Sequence, residues 1–160
     1  MIDFDLPLMA GVHQELETLL VGGIIRNVYQ PDADTLLLVI RQPGQTHHLL
    51  LSAHFAWPRL HLTTQVWPRP SSPSPLCMLF RKYLRGMQIQ AFLHPPDLPV
   101  FQLVCAPRAG EGREAVSLIG EFVAKYSNLL LVNRHTGNII ESVKHPLSPF
   151  RQIAPHLPYT

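Results

Sequence analysis

Two predicted strands are joined by the stretch Gly120-Glu121-Phe122-Val123-Ala124-Lys125-Tyr126-Ser127-Asn128, and the apolar run 129–132 follows at once. The stretch places a carboxylate at the end of one apolar segment, then a cation, a phenol, a hydroxyl and an amide before the next. Polar groups attached to rigid elements are a common location for a binding site. The flanking strands therefore indicate both the fold and the place to look for function.

Further strands extend outward from this stretch through the second half of the chain. Runs of strand character cover residues 88–93, 100–105, 115–123, 128–132 and 138–143. Residues 110–113 and 133–137 contain the glycines and polar residues of hairpin turns, and the proline-rich segment 94–99 predicts a rigid extended loop. These short connections predict an antiparallel meander.

The first half begins with a predicted helix over residues 7–20, capped by Asp5 and ended by two glycines. The helical face expected to pack on the sheet is formed by Leu8, Val12, Leu16 and Leu19. Strands are predicted at residues 24–29, 35–41, 47–52 and 59–62, separated by turn-forming residues. This half is therefore also expected to be a helix followed by antiparallel strands.

A second helix is predicted to begin at Ser74 and Pro75, after a loop rich in proline and serine over residues 67–75. Its buried stripe is predicted to be Leu76, Leu79, Phe80 and Tyr83. Two groups of strands, each led by a helix, predict the α+β class: an antiparallel β-sandwich or barrel flanked by two helices.

Composition limits the classes of protein that need to be considered. The chain has 160 residues, of which 46% are hydrophobic and 15% charged, with a net charge of +2. These values indicate one folded domain and exclude a disordered tail. Cys77 and Cys105 lack the spacing of a zinc ribbon or disulfide framework, and no signal peptide or membrane span is recognised, so a cytoplasmic protein is expected.

No catalytic or metal-binding pattern stands out in the sequence. The nine histidines fall at spacings that match no metalloprotease motif, and no nucleophile elbow, phosphate loop or carboxylate pair occurs. We therefore expect no enzymatic activity, no metal, no cofactor, no small-molecule substrate and no membrane partner.

The stretch from Glu121 to Asn128 resembles the Glu-Ile-Met-Gly-Arg/Lys-His/Tyr-Ser-Asn signature of the NFACT N-terminal domain. This domain begins the RqcH and NEMF ribosome-quality-control factors, whose bacterial members were formerly described as fibronectin-binding proteins. Four further blocks match in the same order, at residues 21–31, 49–54, 75–86 and 142–145. Five ordered blocks across nearly the whole chain are far more specific than one motif.

The resemblance implies a fold like the N-terminal domain of the Fpg/MutM and Nei DNA glycosylases. Those enzymes use an N-terminal proline as nucleophile with a glutamate beside it, whereas this chain begins Met1-Ile2-Asp3-Phe4. Because this nucleophile is missing, base excision has no chemical route. A residual duplex-DNA binder therefore rests on fold analogy alone.

The resemblance also implies RNA binding, because NFACT domains help hold tRNA on a large ribosomal subunit carrying a stalled nascent chain. The implicated triplet maps onto Glu121, Phe122 and Val123, with Lys125 nearby. Physically, the carboxylate can accept hydrogen bonds from a base or a 2′-hydroxyl while Phe122 stacks. Alternatively, Phe122 and Val123 fill the core and Glu121 pairs with a cation.

Three cations, Arg81, Lys82 and Arg85, lie at the predicted end of the second helix. They can complement the negative end of the helix dipole, or they can form a patch that contacts phosphate. Both readings remain open from sequence.

The family's Asp-Arg motif is absent from the aligned positions, where this chain has Leu98 and Pro99. Asp97 precedes them, but no arginine supplies the bidentate donor that a phosphate or base contact needs. The resemblance thus predicts an RNA-binding surface with one degenerate position.

Two domain regions are expected: an NFACT-N-like domain over residues 1–152 and a proline-rich linker or tail over residues 153–160. The chain is expected to be either an excised domain or a stand-alone relative whose partners are tRNA, the large ribosomal subunit and other ribosome-quality-control proteins. An alternative function is a protein-interaction module of the fibronectin-binding type, suggested by low charge and by Trp57, Trp67 and the prolines at 68–75.

Overall fold

The structure, a computed structural model, describes residues 4–146 and 151–160. It contains two α-helices, α1 (Leu6–Leu20) and α2 (Pro75–Leu84), and a single 3-10 turn at Ala124–Tyr126 within these residues. The strands are β1 (Ile24–Asp32), β2 (Thr35–Gln42), β3 (Gln45–Ser52), β4 (Arg59–Leu62), β5 (Gln88–Leu93), β6 (Val100–Ala106), β7 (Val116–Glu121), β8 (Asn128–Asn133) and β9 (Ile139–Ser142).

The nine strands form one antiparallel sheet in the order β4-β3-β2-β1-β5-β6-β7-β8-β9. Each half is a meander of strands adjacent in sequence, and the halves meet where Ile24 of β1 pairs with Gln88 of β5. The predicted α+β class, antiparallel pairing and two helices are confirmed.

A shared core holds the two halves of the sheet together. One cluster of buried apolar side chains includes Leu38 and Leu49 from the first half with Leu118 and Leu131 from the second. Because residues of both halves enter the same cluster, the sheet bends so that its halves face each other. Burying an aliphatic side chain of this kind stabilises the fold by roughly 1.5–3 kcal/mol.

Helix α1 starts as predicted but is rotated relative to the predicted face. The Asp5 carboxylate accepts a hydrogen bond from the Leu8 amide at 3.0 Å, which caps the helix. Met9, Leu16 and Leu20 are the fully buried residues, whereas Leu8 is exposed. The prediction that Leu8 packs into the core is therefore wrong: Met9 is buried instead, while Val12 and Leu19 of the predicted face are half-buried against the core.

Helix α2 begins at its predicted cap, where the Ser74 hydroxyl accepts a hydrogen bond from the Cys77 amide at 3.0 Å. Phe80 is buried as predicted. The other fully buried residues of α2 are Cys77 and Leu84, whereas the predicted Leu76, Leu79 and Tyr83 are half-buried.

Both cysteines of the chain, Cys77 and Cys105, are free and buried, and burial raises the pKa of the Cys105 thiol to about 12.

Strand β7 ends earlier than predicted. It stops at Glu121, and the chain turns at Ala124, which has a left-handed φ of 45°. The Phe122 amide donates to the Pro99 carbonyl at 2.9 Å, so this residue continues toward the 94–99 loop instead of extending the strand to Val123.

The 151–160 segment lies against the second half of the sheet. Ile153 is buried, and the Ile139 amide donates to the Leu157 carbonyl at 2.7 Å. Asn138 and Pro158 form an antiparallel bridge. The boundary at residue 152 stays a prediction, and the last residues it assigns to a tail are seen here in contact with the sheet.

Neither helix within residues 4–146 and 151–160 has the length and hydropathy needed to cross a bilayer.

Candidate functional site

Glu121 at the end of β7 is held by two residues of the 151–160 segment. Arg151 donates to both carboxylate oxygens, with Nη1 to Oε1 at 2.9 Å and Nη2 to Oε2 at 2.7 Å. The Tyr159 hydroxyl donates to Oε2 at 2.6 Å. Because Glu121 is only 7% exposed, its carboxylate is shielded from water, which strengthens the two hydrogen bonds from Arg151, although a third of the Arg151 side chain stays accessible.

The same contacts shift the ionisation of the two partners. The hydrogen bond to Glu121 raises the pKa of the Arg151 guanidinium, so Arg151 stays positively charged. Burial, followed by the hydrogen bond to Glu121, raises the pKa of the Tyr159 phenol above its usual range. Tyr159 therefore remains a hydrogen-bond donor at any physiological pH.

Phe122 belongs to a cluster of aromatic rings beneath the turn. Its ring centroid lies 5.3 Å from that of Phe4 in an edge-on arrangement and 6.0 Å from that of Phe101. A Cβ added at Gly120 would lie 2.6 Å from the Phe122 ring, so a side chain at that position would displace it. Phe122 is thus part of the core, as the alternative from sequence stated, whereas Val123, which that alternative also placed in the core, is 43% exposed.

We define the 123–126 turn as Val123, Ala124, Lys125 and Tyr126. All four residues are exposed, and Tyr126 has 70% of its surface accessible. The Lys125 ammonium lies 5.2 Å from the centroid of the Tyr126 ring, which is within cation-π range. The turn therefore presents a cation and an aromatic ring on a rigid base.

The degenerate motif positions lie beside this turn. Pro99 accepts the Phe122 amide proton, and its neighbour Val100 pairs with Glu121 across β6 and β7. Leu98 is half exposed at 52%. The structure thus brings together the two sequence positions that the family resemblance singled out, 98–99 and 121–123.

The three cations of α2 point to different surroundings. Arg81 donates from Nε to the Val28 carbonyl at 2.7 Å, and its guanidinium lies 5.1 Å from the centroid of the Tyr29 ring. These contacts give Arg81 a structural role in joining α2 to β1. Lys82 and Arg85 are exposed. The structure does not bring these three side chains together as one patch.

Arg113 binds the C-terminal end of α2, a contact that was not predicted from the sequence. Its Nη1 donates to the carbonyls of Lys82 at 3.2 Å and Arg85 at 2.9 Å. Carbonyl groups in the last turn of a helix lack helical partners, and Arg113 satisfies two of them from a distant loop.

Asn128, the last residue of the 120–128 stretch, uses its side-chain amide to bind the backbone of Lys144. Its side chain accepts from the Lys144 amide at 3.1 Å and donates to the Lys144 carbonyl at 3.0 Å. The Lys144 ammonium in turn donates to the Ala53 carbonyl at 2.6 Å. The matched sequence blocks at residues 49–54, 121–128 and 142–145 are therefore in contact where the two halves of the sheet meet.

An apolar cleft of about 580 Å³ opens between α1, the loop after β3 and Phe122. Phe55 and Trp57 are exposed at its rim, with 63% and 47% of their surfaces accessible. Trp67 does not line this cleft: its indole donates to Thr63 Oγ1 at 3.2 Å, and its ring lies 5.9 Å from the guanidinium of Arg59, a residue that does line it. Of the two tryptophans singled out from sequence, Trp57 is the one available for a partner.

No local sequence signal identifies Arg151 or Tyr159 as partners of Glu121. They follow it by 30 and 38 residues and lie in a segment without regular structure. Only the isolated carboxylate at the end of an apolar strand indicates that a cation must be close to it.

The family profile described as NFACT N-terminal and middle domains matches residues 5–160. The chain is 34% identical over 145 residues to the Rqc2 homolog RqcH of Streptococcus pneumoniae serotype 2, covering 90% of this chain and 26% of that protein. It is 32% identical over 81 residues to the mouse ribosome quality control complex subunit NEMF, covering 51% of this chain and 7% of NEMF.

A solved structure agrees with these relatives. The crystal structure of the N-terminal domain of fibronectin-binding protein PavA from Streptococcus pneumoniae superposes with a TM-score of 0.93 at 33% identity, covering 99% of this chain and 61% of that one. The chain spans about a quarter of the length of the RqcH relative. From the profile match and these likenesses, the chain belongs to the NFACT family, the family of RqcH and NEMF.

Proposed function

We propose that this chain is a non-catalytic RNA-binding domain of a ribosome-quality-control factor in the cytoplasm. Its RNA partners are tRNA and the large ribosomal subunit that carries a stalled nascent chain. The observation that supports this most directly is the 123–126 turn, where Lys125 and Tyr126 are exposed side by side. A cation next to an exposed aromatic ring can contact a phosphate while a base stacks on the ring.

Glu121 and Phe122 have a positioning role in this proposal. The carboxylate of Glu121 already receives three hydrogen bonds from Arg151 and Tyr159, and the Phe122 ring is buried. Both residues hold the base of the turn, and the exposed Val123 and Lys125 face the RNA. The predicted likeness to the Fpg/MutM N-terminal domain would suit a nucleic-acid ligand and stays a prediction.

The test is a binding titration against deacylated tRNA and purified large ribosomal subunits at about 0.05 and 0.2 M salt. Replacing Lys125→Gln together with Tyr126→Ala is expected to weaken tRNA binding about tenfold or more, because a stacking ring and a phosphate contact are both lost. The melting temperature should not change, since both side chains are exposed. Lys82→Gln, an exposed cation elsewhere, serves as the control.

A second variant, Leu98→Asp with Pro99→Arg, restores the family's Asp-Arg pair beside the turn. Salt-sensitive binding by the unmodified chain would mean that the turn suffices without this pair. Binding by this variant alone would mean that the chain has lost tRNA recognition. If neither protein binds tRNA or the subunit, the proposed function is wrong.

A second candidate function is protein binding through the apolar cleft. It is favoured by the exposed Phe55 and Trp57 at the rim of a cleft lined mainly by apolar side chains. The PavA domain, which superposes on this chain, is described as part of a fibronectin-binding protein. Exposed aromatic residues beside a concave apolar surface are frequent anchors for a protein partner.

Under this second candidate, Trp57→Ala is expected to weaken binding to immobilised fibronectin at least tenfold, because an anchoring ring is removed from the cleft. Trp67→Ala is the matched control, since Trp67 does not line the cleft. Surface plasmon resonance of both variants would measure the difference. Equal binding by both, or no binding by the unmodified chain, would exclude this candidate for fibronectin.

A further inference from the structure

We define the arginine cluster as Arg26, Arg41, Arg85 and Arg108. These four residues come from β1, β2, the end of α2 and the loop after β6, and all four are exposed. They line two adjoining clefts of about 190 and 560 Å³, which share Ile24, Arg26 and Arg108. We propose that the arginine cluster binds the phosphodiester backbone of RNA.

The local backbone places Arg26 in this cluster. The pairing of β1 with β2 shifts register between Ile25 and Asn27, so Arg26 is the extra residue of a β-bulge. A bulge redirects a side chain away from the position it would take in a regular strand. Ile25 remains in the core, and Arg26 lines both clefts at the junction of the two halves.

The positive charges of the cluster are only partly offset by acids: the Glu111 carboxylate, which pairs with Arg113, also interacts electrostatically with Arg108. Among the described residues, no aspartate or glutamate lines either cleft, and no ion pair includes any of the four arginines. Four guanidinium groups that outnumber the neighbouring acids focus a positive potential in the concave surface between them. A ligand with several negative charges in a row complements this arrangement.

The floor of the cluster is fixed by hydrogen bonds. The Gln42 side chain donates to the Leu19 carbonyl at 2.8 Å, and the Gln88 side chain donates to the Gly22 carbonyl at 3.3 Å. Arg113 holds the Arg85 carbonyl at 2.9 Å while pairing with Glu111. The backbone from which the arginines project is thus held in place, and each planar guanidinium can grip a phosphate with two donors.

The cluster is separate from the 123–126 turn. Gln88 pairs with Ala106 at one end of β6, whereas Glu121 pairs with Val100 at the other end. The identity of the ligand as RNA rests on the proposed function, but the site shares no residue with the one proposed there.

The experiment compares the unmodified 160-residue chain with Arg26→Gln/Arg108→Gln in titrations against deacylated tRNA between about 0.05 and 0.2 M salt. We expect binding at ~0.1 M salt to weaken roughly tenfold or more and to the same extent for an unrelated structured RNA. The slope of log affinity against log salt should become shallower by about 1.5, because two phosphate contacts no longer release counterions.

Arg69→Gln/Arg134→Gln is the matched control, because it removes the same charge from two exposed arginines that line neither cleft of the arginine cluster. Circular dichroism melting confirms that each variant is folded. An unchanged slope in Arg26→Gln/Arg108→Gln, with normal tRNA binding by the unmodified chain, would overturn the arginine site and leave the proposed function intact. Absence of RNA binding by the unmodified chain would overturn both.

The last measurement tests whether the unmodified chain and Arg26→Gln/Arg108→Gln bind phosphatidylserine vesicles. Binding of these vesicles that is lost in Arg26→Gln/Arg108→Gln, while tRNA binding stays unchanged, would assign the cluster to a membrane surface and refute an RNA site. Loss of tRNA binding with no vesicle binding by the unmodified chain supports the proposal.

Discussion

Replacing Phe101→Ala is expected to lower the free energy of unfolding by about 3–5 kcal/mol, the largest effect of any substitution proposed for this chain. Phe101 is 1% exposed, and its ring stacks on Phe92 with centroids 5.2 Å apart. His94, Phe4 and Phe122 pack around it at centroid distances of 4.9, 5.9 and 6.0 Å. Deleting the ring leaves a cavity between three separate elements.

Urea denaturation followed by circular dichroism measures this loss as a lower midpoint with an unchanged slope. Phe101→Leu keeps most of the volume and should cost less than the alanine variant. Leu93→Ala, at a neighbouring exposed position, is the control and should change stability little. A loss below about 1.5 kcal/mol for Phe101→Ala would mean that the surrounding rings collapse into the space.

Replacing Glu121→Ala is expected to lower the free energy of unfolding by about 2–4 kcal/mol, because Arg151 loses its counter-charge. The hydroxyl of Tyr159 also loses its acceptor while it remains partly buried. The side chain of Arg151 keeps 33% of its surface accessible, and water there offsets part of the loss. The 151–160 segment should separate from the sheet before the rest of the chain unfolds.

Native-state hydrogen exchange gives the local readout. The amides of His156 and Tyr159, which donate to Ile139 and Gly137 at 2.7 and 3.0 Å, should exchange faster in Glu121→Ala, whereas amides of β2 should not. Glu111→Ala removes an exposed partner of Arg113 and should leave the melting temperature unchanged. Unaltered protection of His156 and Tyr159 in Glu121→Ala would show that the ion pair does not hold the segment.

Local chemistry made much of the fold predictable. Asp5 and Ser74 mark the helix starts because their side chains accept hydrogen bonds from nearby amides. Strand β4 was predicted at its observed bounds, since a proline precedes a short segment in which leucines alternate with polar residues. The antiparallel pairing of consecutive strands within each half followed from the short connections, whereas the pairing of β1 with β5 was not predicted.

Features that depend on distant residues were not predictable. The rotation of α1 depends on which side chains the sheet accommodates, so Met9 replaced Leu8 in the core. The contact of Arg151 with Glu121 joins residues that no local pattern connects. The arginine cluster is assembled from four separate elements, and the charge run in α2 by itself indicated a different grouping.

The length of β6 sets a minimum size for any ligand that contacts both the 123–126 turn and the arginine cluster, which lie at opposite ends of this strand. From Val100 to Ala106 a strand rises roughly 20 Å, at about 3.3 Å per residue. A nucleic acid strand covers that distance in roughly six nucleotide steps of about 3.4 Å. A mononucleotide can occupy the 123–126 turn or the arginine cluster, but only a longer polymer can touch both. The length of β6 therefore means that simultaneous binding at both sites selects an extended RNA strand over free nucleotides.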